Sequence, residues 1–137
     1  MTDFPHLLHT VLDARDVRRE AEFWREYLGL VYRTGDEAPV GDEADDADWL
    51  VLTRPDGTPV LAVQEAAELV ATTWPRPEVP MQLHLDFTLP DRDSLEHQRR
   101  RALDLGASDI HDRSDDPDEP LFVLADPEGH PFCIFVG

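Results

Sequence analysis

The side chains of this chain best suited to chemistry lie in the run Gln82-Leu83-His84-Leu85-Asp86-Phe87. In an extended strand, residues two apart share a face, so Gln82, His84 and Asp86 line one side and Leu83, Leu85 and Phe87 the other. An imidazole beside a carboxylate makes an acid–base pair: Asp86 would orient the His84 ring or take a proton itself. His84 and Asp86 are therefore the candidate catalytic residues, in a polar cavity if the face is covered and in solvent if it is not. A second histidine, His9, alternates with Leu7 and Val11 in Leu7-Leu8-His9-Thr10-Val11-Leu12. Cys133 is the only cysteine, which excludes an intramolecular disulfide. Trp74 stands in Thr73-Trp74-Pro75-Arg76-Pro77-Glu78-Val79-Pro80, where no packing period calls for a large ring. It is expected to close a ligand pocket, to make a dimer contact or simply to pack on the surface. No P-loop, dinucleotide fingerprint or serine-nucleophile motif occurs, and Ser94, Ser108 and Ser114 have no partnered base.

The elements that position these groups repeat. The first half reads His9-Thr-Val-Leu-Asp, then Asp16, a helical stretch to Leu28-Gly29, an acidic loop, Leu52 and Pro55-Asp56-Gly57-Thr58-Pro59. The second reads His84-Leu-Asp-Phe-Thr, then Asp91, a helical stretch to Leu105-Gly106, an acidic loop, Leu124 and Pro127-Glu128-Gly129-His130-Pro131. Each half predicts a strand, a helix and three strands. Strands are expected at 7–12 and 82–88, and helices at 17–28 and 94–105, with Asp16 and Asp91 as N-caps and the glycines as C-caps. Val17, Ala21, Trp24 and Leu28 form one buried helical stripe, and Leu95, Ala102 and Leu105 the other. The modules are expected at 1–65 and 81–137, joined by a proline-rich linker at 66–80 that cannot be a helix. Pseudo-twofold pairing of the halves would bring His9 and His84 toward one cleft.

The 137 residues carry 12 basic and 30 acidic side chains, a formal charge of −18, with neither lysine nor asparagine. That length suits one domain. The acidity argues against nucleic acid and against anionic lipid as partners. No apolar run approaches the roughly 20 residues that span a bilayer, and the first residues lack a secretory signal, so a cytoplasmic protein is expected. Residues 36–48 hold seven carboxylates and no base; residues 109–119 hold six around Arg113. Neither run has calcium-loop spacing, and both read as solvated surface loops.

Taken together, Leu-Leu-His-Thr-Val-Leu, Phe23-Trp24 before Leu28-Gly29, His84-Leu85-Asp86-Phe87 and Asp126-Pro127-Glu128-Gly129-His130-Pro131-Phe132 resemble the vicinal oxygen chelate superfamily, over essentially the whole chain. That superfamily includes glyoxalase I, extradiol dioxygenases and bleomycin-resistance proteins; the likeness is greatest to its glyoxalase-like branch. The resemblance implies an α+β fold of two βαβββ modules in an open eight-stranded cup, a homodimer, and a small-molecule site in the cup. Carried over by position, the first-strand metal ligands would be His9 and His84. The last-strand ligand, a glutamate in metal-dependent members, falls on Cys133, and the turn-based repeat maps Cys133 onto Leu61. Gln64 or Glu65 would reach the equivalent position only through a register shift or bulge. Two histidines and a thiolate could hold Zn²⁺, whereas Ni²⁺, Mn²⁺ or Fe²⁺ sites of this fold favour carboxylate.

The expected function is therefore to hold a small organic molecule in the cup, through His9, Gln82, His84, Trp74 and Cys133, with no cofactor, either sequestering it or acting on it by metal-free chemistry at His84 and Asp86. The alternative is a metal-dependent lyase, isomerase or dioxygenase in which His9, His84 and Cys133 hold a divalent ion.

Overall fold

The computed structural model describes residues 3–137. Its elements run β1 (Thr10–Ala14), α1 (Val17–Leu28), β2 (Val31–Tyr32), β3 (Trp49–Thr53), β4 (Pro59–Glu65), β5 (Leu85–Leu89), α2 (Arg92–Leu105), β6 (Ser108–Arg113), β7 (Leu121–Ala125) and β8 (Pro131–Val136). The βαβββ order thus occurs twice in an α+β chain. Among the described residues the strands form two four-stranded mixed sheets, ordered β1-β4-β3-β2 and β5-β8-β7-β6, and no closed barrel. In each sheet the first strand pairs parallel with the last, and the other pairs are antiparallel. The chain divides into two compact units, Met1–Ala67 and Glu68–Gly137. No helix among the described residues is long and apolar enough to cross a membrane.

Local signals set the helix ends. The Asp16 carboxylate accepts from the Arg19 amide at 3.1 Å, and Gly29 closes α1 in the left-handed conformation at φ 66°. Asp91 accepts from the Ser94 amide at 2.8 Å. Because an N-cap lies just outside its helix, α2 starts at Arg92, ahead of the expected Ser94. The apolar stripe of α1 is wider than its spacing predicts: Val17, Ala21 and Trp24 are buried as expected, Phe23 and Tyr27 join them, and Leu28 is only half-buried. Phe23 packs edge-on to Trp24 at 5.0 Å and stacks on Tyr27 at 5.7 Å. Beneath α1 lie Ala14, Leu50 and Val63. In α2 only Leu95 and Ala102 are buried.

The two acidic loops are more structured than solvated surface. From the first turn of α1, Arg18 donates to the Asp36 carbonyl at 2.7 Å and to the Asp45 carboxylate at 2.7 Å. From the first residue of α2, Arg92 donates to the carbonyls of Ser114 at 2.7 Å and Asp116 at 3.1 Å. Each helix therefore starts with an arginine strap across the acidic loop of its own unit. Some of the acids serve the loop backbone: Asp36 accepts from the Val51 amide, and Asp116 from those of Asp118 and Glu119.

The stretch before β5 is also pinned. Thr72 Oγ1 donates to the Val79 carbonyl at 2.6 Å, and the Val79 amide donates to Thr73 Oγ1 at 2.9 Å, closing a tight turn around the cis Trp74–Pro75 bond. Trp74 is half-buried there. In the Pro-Glu-Gly turn the Asp126 carboxylate accepts from the amides of Glu128 and His130. Gly129 has φ 94°, and a Cβ there would stand 2.5 Å from that of Ala71.

Candidate functional site

Both first strands begin later than their alternation suggests. β1 starts at Thr10, opposite Leu61, and β5 at Leu85, opposite Phe132. His9 and His84 sit one residue ahead of their strands. Leu7, Leu8, Gln82 and Leu83 precede the ladders and are exposed; Leu83, expected beneath the helix, is 58% exposed. Among the described residues β5 pairs only with β8, whose strand begins at Pro131, and no strand pairs with 82–83.

In the second unit, Phe87 packs edge-on against Phe132 at 6.1 Å, and Arg99 of α2 lies over the Phe122 ring at 5.0 Å. That marks the helix side of the sheet. Asp86, Cys133 and Val123, which are register partners across β5, β8 and β7, occupy the opposite side. His84 Nε2 lies 3.2 Å from Asp86 Oδ1. One ligand atom each from His84, Asp86 and Cys133 lies within 4.8 Å of the others. Burial first, then the Asp86 carboxylate to which it hydrogen-bonds, pushes the Cys133 thiol up to about 11, so at neutral pH it is protonated and a poor nucleophile. The structure thus brings together three sequence candidates, His84, Asp86 and Cys133. Gln82 is exposed ahead of β5, and Trp74 is held in its own turn; neither is part of that trio.

In the first unit, Leu12, Ala14 and Val63 face α1, so Val11, Asp13, Ala62, Gln64 and Trp49 take the other side. The register corrects the mapping of the repeat. Asp86, two residues after His84, pairs with Cys133, while Val11, two after His9, pairs with Ala62. Cys133 therefore corresponds to Ala62 and not to Leu61. The cause is a bulge: Leu52 pairs with Leu61 but Thr53 with Pro59, so Val60 is an extra residue on β4, and β8 has none. The same bulge puts Gln64, and not Glu65, on the side away from α1. Gln64 Nε2 donates to its partner Asp13 at 2.6 Å.

Sequence reasoning missed Trp49. It opens β3 opposite Gln64, and its ring centroid lies 5.9 Å from that of His9. His9 Nδ1 is shielded from solvent and has no hydrogen-bond partner among the described residues. An open cleft of about 460 Å³ is lined by Asp48, Trp49, Gln64, Glu65 and Ala67. The signal was available: Trp49 begins an apolar run directly after the acidic loop, which is where the repeat puts a strand.

Two parallel-closed βαβββ units with polar groups on the sheet faces away from the helices define a class of tandem-module proteins. Residues 9–135 match the glyoxalase-like domain model, and the chain belongs to that family. Solved structures share the fold at low identity. A glyoxalase/bleomycin resistance protein/dioxygenase family enzyme from Burkholderia phytofirmans PsJN is 17% identical, with TM-score 0.66 over 94% of this chain and 96% of that one. A glyoxalase/dioxygenase from Nostoc punctiforme is 22% identical, TM-score 0.64, over 96% and 90%. The fosfomycin resistance protein FosX of Listeria monocytogenes, complexed with Mn(II) and sulfate, is 15% identical, TM-score 0.63, over 98% and 94%. No curated protein matches the sequence.

Proposed function

We propose that this glyoxalase-like protein holds a small organic molecule and does so without the imidazole–carboxylate metal set of metal-dependent members. The observation that carries the reading is His9: a shielded ring nitrogen without a partner among the described residues, against Trp49, which itself lines the open cleft of about 460 Å³. A buried polar atom of that kind is satisfied by a polar group of a ligand, and an indole supplies a flat apolar wall beside it. Asp13 and Gln64 add an acceptor and an amide at the same end of the sheet. A homodimer belongs to this reading, supported by exposed Phe4, Leu7 and Leu8 ahead of the edge strand β1.

Ligand-observed NMR of the full chain against a fragment library tests it. Fragments should bind and should lose their signal with Trp49→Ala and with His9→Ala. Hits unaffected by both changes, or no hits, would remove the reading.

A second reading, metal-dependent lyase, isomerase or dioxygenase chemistry through His9 and His84, is favoured by imidazole at both first-strand positions and by the Mn(II) of the Listeria protein. The residues present do not fit that set. The last-strand positions are Ala62 and Cys133, so no carboxylate stands where one would both bind a hard ion and move a substrate proton. Metal content that falls with His9→Ala would restore this second reading.

A further inference from the structure

Equivalent places in the two units carry opposite chemistry. Where the first unit has Val11 opposite Ala62, the second has Asp86 opposite Cys133, on the same side of the same strand pair. The fold is evidently satisfied with two apolar side chains there, so the carboxylate and thiol of the second unit are not needed to build the sheet. We propose that His84, Asp86 and Cys133 form a binding site for a borderline divalent cation, zinc foremost, complete within the second unit. The proposal is independent of the small-molecule reading, which rests on residues of the first unit.

The ladder supplies the geometry. Asp86 and Cys133 are direct cross-strand partners, and His84 precedes Asp86 by two residues on the same side. Their donor atoms lie within 4.8 Å of one another. Around zinc, with bonds of about 2.0–2.3 Å, tetrahedral donors stand about 3.3–3.8 Å apart. His84 Nε2 and Asp86 Oδ1, 3.2 Å apart, already stand that close, and no pair of donors need draw in by more than about 1 Å. His84 and Asp86 have room to do so, with side chains 38% and 55% exposed. One imidazole nitrogen, one carboxylate oxygen and one sulfur favour zinc over magnesium, calcium or manganese, which prefer oxygen alone. Three protein donors leave a fourth position for water or a ligand. The carboxylate of this set comes from β5 beside the cysteine, not from β8, and His9 has no part in it.

The experiment uses the chelator-stripped full chain and the metals alone. Zinc, titrated against a chromophoric chelator, should bind at one equivalent per chain. Cobalt(II) in its place should show the near-ultraviolet charge-transfer absorption of a thiolate ligand. Cys133→Ser, and Cys133→Ala with the first unit's residue, should abolish that absorption. Asp86→Asn and His84→Ala should each weaken zinc at least about tenfold, with circular dichroism unchanged. His9→Ala should leave affinity within about twofold. Absence of stoichiometric zinc overturns the proposal. So does binding that survives both Asp86→Asn and Cys133→Ser, which would put the ion on the acidic loops, and so does binding that requires His9.

Discussion

The first unit keeps its polar side chains one step further along the parallel strand pair than the second. Val11 and Ala62 are followed by Asp13 and Gln64; Asp86 and Cys133 are followed by Thr88 and Phe135. The same backbone ladder thus presents an amide–carboxylate pair in one unit and a thiol–carboxylate pair beside a histidine in the other. The two units share the scaffold, while two positions per unit differ in what they can bind. The helices differ as well. α1 buries Phe23, Trp24 and Tyr27 together, whereas α2 buries one leucine and one alanine.

That contrast in packing gives the largest expected effect. Trp24, 1% exposed, anchors the aromatic group of α1, and Trp24→Ala should cost about 3–5 kcal/mol in urea unfolding. Leu95→Ala, at the matching task in α2, should cost about 2–5 kcal/mol. A larger loss from Leu95 than from Trp24 would reverse the ranking of the two helices.

Next comes a transplant. Val11→Asp with Ala62→Cys should give the first unit a donor set with His9. A Cys133→Ala background carrying both changes should then recover the cobalt charge-transfer absorption. Ala62 is fully buried, so overpacking should lower stability by about 1–3 kcal/mol. A correctly folded double variant without the absorption would show that strand position alone does not make the site.

Smaller effects are expected from the straps. Arg18→Ala and Arg92→Ala each remove charge-assisted hydrogen bonds worth about 1.5–3 kcal/mol when well ordered, and less at exposed sites. Hydrogen exchange should quicken in 36–48 for the first variant and in 114–118 for the second. Spread of either effect to the other loop would deny that each strap serves its own unit.

The smallest effect is alkaline. Both tyrosines are in the first unit, and Tyr32 donates to Glu22 at 2.7 Å. Burial, then that carboxylate, pushes its hydroxyl up to about 12. A raised folded value means that the contribution is complete below the ordinary value near 10 and is lost as pH climbs toward 12. Tyr32→Phe should remove that part of the alkaline unfolding profile; an unchanged profile would place the alkaline loss elsewhere.

Much of the architecture was legible in the residues, because caps, glycines and turns act locally. Asp16, Gly29 and Asp91 do what their types allow wherever they sit. What failed depended on pairing. Leu83 alternates like a strand residue, yet among the described residues no strand pairs with that segment. Counting from the Pro-Asp-Gly turn set Leu61 against Cys133, because a bulge at Val60 is invisible to a count of residues. His84, Asp86 and Cys133 were all legible as candidates from type and alternation. Their convergence was not, since Asp86 and Cys133 are brought together by a parallel register across 47 residues of chain. Trp49 was missed for a different reason: its importance lies in a contact with His9, forty residues away in sequence.

The close approach of Gly129 to Ala71 gives the proline-rich stretch a meaning beyond connection. The segment is buttoned to the turn that launches β8, and the button admits no side chain at 129. A tether would let insertions come and go; a fastening does not. Lengthening 66–80 should be felt first where Cys133 begins its strand, and a residue there would be placed or misplaced by a loop some sixty positions earlier.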